Sequence, residues 1–237
     1  MPEEDRTVTE TATPQTRQSS VAMIVEFLYR EITLMRLLPG TRISEADIAA
    51  RFGVSRQPVR EAFSRLEAMD LILVRPKKAT EVRKFSASSI EKSRFVRAAI
   101  EAAALRKAAK ACGPAEGFQL DAQLALQRKA WAERDQKAFA ELDYDFHKTV
   151  CEIGGVPYAF DLIRAEKEKV DRLCTLGLSK EERMPQLISD HQDIADALKA
   201  GDGEAAVDAG MAHLTRLDET IAAIRKTGSA YFEDGDA

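Results

Sequence analysis

The sequence predicts a mainly α-helical protein, in which an N-terminal winged helix-turn-helix precedes an all-α antiparallel helical bundle. Three observations support this prediction. Before residue 86, two helical segments meet at a tight glycine turn, and two short β-prone runs follow them. After residue 86, apolar residues recur at helical spacing in segments rich in alanine and leucine. Only short loops separate these segments, and short loops make neighbouring helices antiparallel.

The chain is predicted to have four regions. Residues 1–20 are rich in Thr, Ser, Glu and Pro and bury too little apolar surface to fold, so we expect a flexible arm. Residues 21–85 form the winged domain, residues 86–228 form the helical domain, and residues 229–237 form a loose tail. A chain of 237 residues is expected to hold one or two folded domains, as in this division.

Charge is divided unevenly along the chain. The net charge is −4, but residues 21–85 hold twelve Lys and Arg against eight Asp and Glu, which gives +4. Residues 1–20 carry −2, so residues 86–237 carry −6. A basic domain joined to an acidic domain is typical of a protein that binds a polyanion through the basic domain only. The three cysteines lack CxxC spacing and no apolar run reaches membrane-spanning length, so we expect a cytoplasmic protein without disulfides or membrane contact.

The winged domain is predicted to start with a helix over Val21–Leu38. Ser44–Asp47 is a capping signature that opens a second helix, which stops at Gly53. Ser55 is expected to cap a third helix with its hydroxyl, and Pro58 fits because it falls in the first turn of that helix. Two helices joined by a glycine turn predict a helix-turn-helix, with the third helix as the recognition helix.

A basic hairpin is predicted after the recognition helix. The β-prone runs Leu71–Val74 and Thr80–Arg83 flank Arg75–Ala79, which carries Lys77 and Lys78. This arrangement is typical of a wing, whose lysines would contact DNA.

Arg56, Gln57 and Arg60 are predicted to point outward at the start of the recognition helix. Arg can bond guanine O6 and N7 together, and Gln can bond adenine N6 and N7 in the same way. The alternative is that these are ordinary solvated helix residues. The ordered series of capped helix, turn, second helix and basic wing favours double-stranded DNA as the partner.

The same region carries a familiar pattern of residues: Pro39-Gly40, Ile43-Ser44-Glu45, Ile48-Ala49, Phe52-Gly53-Val54-Ser55-Arg56, Pro58-Val59-Arg60-Glu61-Ala62 and Leu66-Glu67. This pattern resembles the winged-helix domain of GntR-superfamily transcription regulators. The resemblance implies that Arg56 and Arg60 contact operator DNA and that the wing tip enters the minor groove. Family members usually carry a glycine in the wing and this chain has none there, so Lys77 or Lys78 is expected to contact phosphates instead.

The helical domain is predicted to contain six helices. Their predicted spans are Ile90–Cys112, Gln119–Arg134, Lys137–Ile153, Tyr158–Leu178, Met184–Ala200 and Glu204–Lys226.

All three histidines of the chain lie in this helical domain. His147 follows Asp143 by four residues on one helix face, and His191 and His213 interrupt apolar stripes of two later helices. Polar groups that face a bundle interior need partners. One divalent cation held by all four side chains would supply them, with zinc expected first and nickel or manganese as alternatives. Three separately hydrogen-bonded core histidines are the competing interpretation.

A second pattern spans this domain: Arg97 with Glu101, Asp143 with Phe146-His147, Asp190-His191 with Ala197-Leu198 and Gly201-Asp202, and Met211 with His213-Leu214. It resembles the FCD ligand-binding domain of FadR-like GntR regulators. The resemblance implies that Asp143 and the three histidines hold a divalent cation, whose coordination a small carboxylate effector completes. Arg97, which we expect to face inward beside Phe95 and Ile100 on the first helix of the bundle, is the candidate clamp for that carboxylate, unless it forms only a salt bridge with Glu101. Val156 stands where family members often have Asn.

The leading hypothesis is therefore a homodimeric transcription regulator that binds operator DNA and responds to a small carboxylate or sugar acid. One alternative is a metal-dependent, hydrolase-type enzyme, in which the cation activates water. Against it, Glu141 and Asp145 lie on other faces of their helix, so neither is placed as a general base. The other alternative is a sensor of the metal itself.

Overall fold

The computed structural model describes residues 14–75, 78–174 and 180–233, and the chain divides into two compact units. The N-terminal unit comprises residues 1–84 and the helical unit residues 85–237. The boundary predicted from the sequence lies one residue from this division.

The N-terminal unit is a three-helix domain with a small antiparallel sheet of order β1-β3-β2. Ile43 of β1 lies opposite Thr80 of β3, and Ile72 of β2 lies opposite Val82. The strand β1 was not predicted, because two residues are too few to show alternation. The elements are α1 (Pro14–Thr33), β1 (Arg42–Ile43), α2 (Glu45–Phe52), α3 (Arg56–Ala68), β2 (Ile72–Leu73) and β3 (Thr80–Val82).

The first helix differs from its prediction at both ends. It begins at Pro14, so residues 14–20 of the predicted arm are helical, and residues 1–13 lie outside the described residues. It ends at Thr33 rather than Leu38, because Met35 adopts φ 56°, which a helix cannot continue through. The amides of Arg36 and Leu37 both donate to Glu31 O, which closes the turn.

Apolar faces of α1 and α3 form the core of the N-terminal unit. Ile24, Leu28 and Ile32 are fully buried, as are Val59 and Leu66. The spacing of three and four residues puts each set on one side of its helix. The turn between α2 and α3 depends on Gly53, whose φ of 63° is left-handed, and its amide donates to Ala49 O and Ala50 O.

The helical unit contains seven α-helices and a short 3-10 helix within the described residues. The elements are α4 (Ala87–Ala111), α5 (Pro114–Ala132), α6 (Gln136–Ile153), α7 (Ala159–Cys174), α8 (Lys180–Lys199), α9 (Gly203–Thr215), α10 (Leu217–Thr227) and η1 (Ser229–Tyr231). The end predicted for α7 at Leu178 falls outside the described residues.

The helix predicted over Glu204–Lys226 is two helices that meet at Arg216. The Thr215 hydroxyl, at the end of α9, donates to Met211 O and Ala212 O, each at 3.0 Å. Such backward bonds compete with the helical ladder and bend helices. The apolar spacing continues across the bend, which is why the sequence pattern did not reveal it.

The predicted loose tail is ordered up to Glu233. Phe232 is 1% exposed and packs on Phe85, with ring centroids 5.8 Å apart. Phe85 N donates to Tyr231 O, and Glu233 N donates to Phe85 O, both at 2.9 Å. The first and last described residues of the helical unit are therefore joined by a parallel bridge, and burial of Phe232 explains the order.

No helix among the described residues is long and apolar enough to cross a membrane.

Candidate nucleic-acid interface and metal centre

The start of α3 presents the predicted DNA-reading residues to solvent. Arg56, Gln57 and Arg60 are exposed, while Pro58 and Val59 between them are buried. Ser55 has the extended backbone of an N-cap but makes no side-chain capping hydrogen bond, so the predicted hydroxyl cap is wrong. The buried ring of Pro58 at the third helical position, where the backbone N–H needs no intrahelical partner, anchors this turn instead.

Two of these side chains already have surface partners. Arg60 Nε lies 3.0 Å from Glu45 Oε2 at the start of α2, and Gln57 Nε2 donates to Glu61 Oε1 at 3.4 Å. Arg60 keeps 59% of its side chain exposed in this pair. The Glu45 contact uses Nε, and the terminal nitrogens of the Arg60 guanidinium are the atoms that a bidentate base contact needs.

The wing consists of β2, β3 and the turn between them. Lys78 N donates to Arg75 O at 3.2 Å, and both side chains are exposed. Lys77 lies outside the described residues.

The three histidines of the helical unit converge from three helices. His147 lies on α6, His191 on α8 and His213 on α9, and each is at most 5% exposed. Their ring centroids are 4.9 to 5.4 Å apart. One nitrogen from each ring lies within 4.8 Å of the others. We call these residues the histidine cluster.

Each ring has its other nitrogen against a polar side chain. His147 Nδ1 lies 3.2 Å from Glu101 Oε2, and His213 Nδ1 lies 3.4 Å from Asp190 Oδ2. His191 Nδ1 lies 2.9 Å from Gln127 Oε1. The contacts of His147 and His191 fix which of their ring nitrogens carries the proton. His213 Nδ1 and Asp190 Oδ2, by contrast, have no hydrogen-bond partner among the described residues.

The orientation of His191 is the most strongly determined. Gln127 donates from Nε2 to Leu142 O at 3.2 Å, so its Oε1 must be the atom that accepts from His191. Phe146 stacks on the His191 ring, with centroids 4.2 Å apart and an interplanar angle of 15°. His191 Nε2 is buried without a hydrogen-bond partner among the described residues, and Asp143 Oδ1 lies 3.5 Å from it.

Comparison with known proteins fits both halves of this structure. Residues 21–82 match the family described as "Bacterial regulatory proteins, gntR family", and residues 94–216 match the FCD domain. The chain belongs to the GntR family, with an FCD domain. The HTH-type transcriptional repressor RspR of Escherichia coli strain K12 is 36% identical over 211 residues, which are 89% of this chain and 92% of that protein.

Two further similarities are more distant. A probable D-xylose utilization operon transcriptional repressor of Paenarthrobacter nicotinovorans is 28% identical over 81% of this chain and 84% of that protein. The crystal structure of a putative GntR regulator from Rhodococcus sp. RHA1 has a TM-score of 0.68 at 25% identity, covering 86% of this chain and 98% of that chain. The protein is therefore a GntR-type transcription regulator, and its domains and relatives argue against the enzyme alternative.

The cluster in the FCD domain has dimensions close to those of a metal site. Ligand nitrogens at about 2.0–2.1 Å from one zinc ion are at most about 4.2 Å apart. The imidazole nitrogens lie within 4.8 Å of one another, which is close to that limit. Asp143, the fourth predicted ligand, has Oδ1 near His191, but its Oδ2 lies 2.8 Å from Lys167 Nζ. Asp143 would thus be shared between the cation and a lysine.

The protonation states of the buried histidines and Asp143 in the FCD domain favour the binding of a divalent cation. Burial lowers the pKa of His191 well below its usual value, and the neighbouring His213 lowers it further. Burial also lowers the pKa of His213. Burial alone would raise the pKa of Asp143, but Lys167 and the histidines lower it well below the usual value. Neutral imidazoles beside an ionised carboxylate are the protonation states that bind divalent cations.

Arg97 is buried and paired, not turned outward. Its Nε donates to Glu101 Oε1 at 2.5 Å, and its Nη2 lies 3.3 Å from His147 Nε2. The predicted alternative, a salt bridge with Glu101, is therefore present, and Arg97 also lines the pocket at the histidine cluster. Phe95 is 75% exposed, so the expectation that it faces inward with Arg97 is wrong.

One pocket of the FCD domain reaches the cluster through Asp143 and His213. Sequence reasoning missed several of its polar residues, although a signal existed for one of them. Lys167 lies in the apolar stripe of α7, between Ile163 and Val170. A polar residue within an apolar stripe is the same pattern that indicated the inward-facing histidines. The pocket is lined by Arg97, Phe139, Ala140, Asp143, Tyr144, Lys167, Asp171, Arg183, Leu187 and His213.

Proposed function

We propose that this GntR regulator binds operator DNA through α3 and the wing, and that a small carboxylate bound at a divalent cation in the FCD domain controls that binding. The observation that carries the proposal is the histidine cluster. Three buried imidazoles from three helices turn one nitrogen each to a common point, and His191 Nε2 has no hydrogen-bond partner among the described residues. Separately hydrogen-bonded core histidines would not leave His191 Nε2 without a partner, because an unpaired buried polar atom is costly.

The chain's residues would hold the cation and orient the acid in different ways. The histidine cluster would supply neutral nitrogen ligands, Asp143 would supply an oxygen, and the cation would provide positive charge for a carboxylate. Arg97 lines the same pocket and carries a guanidinium that matches carboxylate geometry. Because the ligands come from α6, α8 and α9, filling the site would tie these helices together and could bias the domain between two states.

On the DNA side, Arg56, Gln57 and Arg60 would contact base edges, and Lys78 with Lys77 would contact phosphates. One recognition helix reads few base pairs, so we expect a homodimer on a pseudo-palindromic operator. GntR regulators bind operator DNA and commonly act as dimers, which supports both expectations. We expect the regulator to act in the cytoplasm, with its operator DNA.

Metal content per chain tests the proposal. The chain has three histidines, all in the cluster, so protein purified without a histidine tag has no other imidazole to bind a cation. We expect about one divalent ion per chain. The variant His191→Ala should lose it, and Gln127→Ala, which removes the partner of His191 together with a hydrogen bond to Leu142 O, should weaken binding about 10- to 100-fold.

Operator binding measured with chelator, with metal and with carboxylates then separates the hypotheses. The proposed regulator responds to the acid only when metal is present. A response to metal alone would make the cation the signal. A protein that binds no metal, or a His191→Ala variant that keeps metal and response, would leave only the interpretation of separate core histidines.

A further inference from the structure

We propose that Glu67 is a positioning residue for DNA binding: its carboxylate holds the wing against the recognition helix, so that the wing lysines meet the DNA backbone while α3 reads bases. This role rests on the DNA contacts proposed above and adds a residue that acts without touching DNA itself. Glu67 lies in the last turn of α3, and Val74 is the first residue after β2.

The hairpin of β2 and β3 is anchored in the core at its base. Ile72 and Val82 lie opposite each other and are at most 1% exposed. The next pair toward the tip, Leu73 with Glu81, is the outermost pair of the described ladder. Strand β2 thus pairs through two residues, and so short a hairpin is marginally stable unless other contacts support it.

Two carboxylates at the end of α3 provide that support. The Val74 amide donates to Glu67 Oε1 at 2.9 Å. Hydrogen bonds to a carboxylate are among the stronger ones in proteins. Asp70 Oδ1 lies 3.0 Å from Arg83 Nε, in an ion pair just after β3. The recognition helix and the turn that follows it therefore contact the hairpin on both of its strands, and the Glu67 contact is the one nearer to the tip.

Glu67 lies on the face of α3 that carries Arg56 and Arg60. It follows Arg60 by seven residues and Arg56 by eleven, which are close to two and three helical turns. The helical rise places Glu67 about 10 Å beyond Arg60 along the helix axis. Since the major groove is about 12 Å wide, a hairpin held at this end of α3 stands near the phosphates that border the groove. Glu67 thus sets the distance between the base-reading residues and the wing.

A positioning role and a simple charge effect predict opposite results when the Glu67 side chain is removed. A wing that is held in place binds more tightly than a mobile one, because the apparent affinity falls with the fraction of molecules in the binding-competent arrangement. A carboxylate beside DNA, in contrast, repels the phosphates. Loss of Glu67 therefore weakens binding if it positions the wing, and strengthens binding if it acts only through its charge.

The test measures affinity of the intact chain for a duplex that the wild-type protein selects from a random-sequence pool. Glu67→Ala should weaken binding up to about tenfold, which is the range of one hydrogen bond. Glu67→Gln keeps an oxygen that accepts from the Val74 amide, so it should bind about as tightly as the wild type or more tightly. A second background replaces Arg75, Lys77 and Lys78 by Ala. Glu67→Ala should cause no loss there, because no charged wing remains to be positioned.

Each result supports or overturns this role of Glu67. If Glu67→Ala binds as tightly as the wild type, or loses the same factor in both backgrounds, Glu67 does not position the wing. A general loss of folding falls in the second case, and raised hydrogen exchange of α1 and α3 would identify it. A Glu67→Gln variant as weak as Glu67→Ala would refute the hydrogen bond as the cause.

The background variant tests the proposed function separately. If replacement of its three basic residues weakens binding, the phosphate contacts of the wing stand, whatever Glu67 does. If that replacement leaves the affinity unchanged, the wing contact in the proposed function fails, and the positioning role of Glu67 fails with it.

Discussion

The two units of this chain differ in what they bury. In the N-terminal unit, Thr80 is the sole buried polar side chain among the described residues. In the helical unit twelve described polar side chains are buried: Ser93, Arg97, Glu101, Gln127, Asp143, His147, Thr149, Lys167, Arg172, Asp190, His191 and His213. A domain that binds its partner with surface residues can keep an apolar core. A domain that binds a ligand inside must bury polar groups, and these lower its stability unless each one is paired.

Breaking an ion pair should therefore have its largest effect in the helical unit. Glu101→Ala leaves Arg97, which is 4% exposed, without the carboxylate that holds its Nε. We expect a loss of about 3–5 kcal/mol in the free energy of unfolding. Trp131, the single tryptophan, lies on α5, so its fluorescence in a urea titration reports this unit alone.

The control for Glu101→Ala is the double variant Arg97→Met with Glu101→Leu, which removes both charges. It should recover much of the lost stability, because replacing a whole buried pair by apolar groups is often neutral. If the single and double variants lose the same amount, the cost arises from packing and the comparison between the units fails.

Removal of the proposed cation should have the next largest effect, and this effect should also be confined to one unit. Free metal at about 100 times its dissociation constant stabilises the folded state by about 2.7 kcal/mol. Chelation should lower the unfolding free energy of the helical unit by that amount. Hydrogen exchange of α6, α8 and α9 should rise, while exchange of α1 and α3 should not change. Equal increases in both units would contradict this division.

Substitutions in the N-terminal unit should change DNA binding without changing stability. Arg56→Ala or Arg60→Ala is expected to cost about 1–3 kcal/mol of operator affinity if the residue contacts a base pair, and to relax preference at one position. Binding assays on operators with single base changes would measure this. Equal weakening on every sequence would instead assign the residue to a phosphate contact.

The wing should contribute through charge alone. Replacing Lys77 and Lys78 together by Ala should reduce the slope of log affinity against log salt by about 1.8, if each lysine neutralises one phosphate. Arg75→Ala, at the same exposed turn, indicates whether any positive charge there has the same effect. An unchanged slope in the double variant would place the wing away from the DNA backbone.

The smallest effect is expected at the surface pair of Arg60 and Glu45, whose side chains are 59% and 30% exposed. Glu45→Ala should cost at most about 1 kcal/mol of stability, because water and salt screen exposed pairs. Local exchange of α2 and α3 would measure it. If Glu45→Ala lowers the free energy of unfolding by as much as Glu101→Ala does, burial does not determine how much an ion pair stabilises this protein.

This difference in burial also determined what the sequence could reveal. The fold class, both helices of the helix-turn-helix, and the inward faces of His147, His191 and His213 were predictable from local patterns, since caps and apolar spacing act over a few residues. The partners of those histidines were harder to predict. Gln127 and Lys167 come from α5 and α7, and only the packing of the helices places them near the cluster. Asp143 was predicted as a ligand, but its shared contact with Lys167 depends on that same packing.

The remaining wrong predictions each concern a single residue or turn. The Ser55 hydroxyl has the sequence context of a cap, yet its contact depends on a side-chain rotation that no pattern specifies. The bend at Arg216 depends on the hydrogen bonds of the Thr215 hydroxyl, and the order of Phe232 depends on its contact with the distant Phe85. Phe95 is a large apolar residue on a helix with one buried face, and only the structure shows that it faces outward.

The bridge between Phe85 and Phe232 means that the helical unit begins and ends at the same place. A chain whose ends meet can be reconnected there and opened elsewhere, provided that the new opening is exposed. The turn at Arg134 and Asp135 is exposed on every residue from Trp131 to Lys137. A gene that starts in this turn, and that links Glu233 to Phe85 through a short spacer, would encode the same helices in a different order. The winged domain could then be attached at a new position.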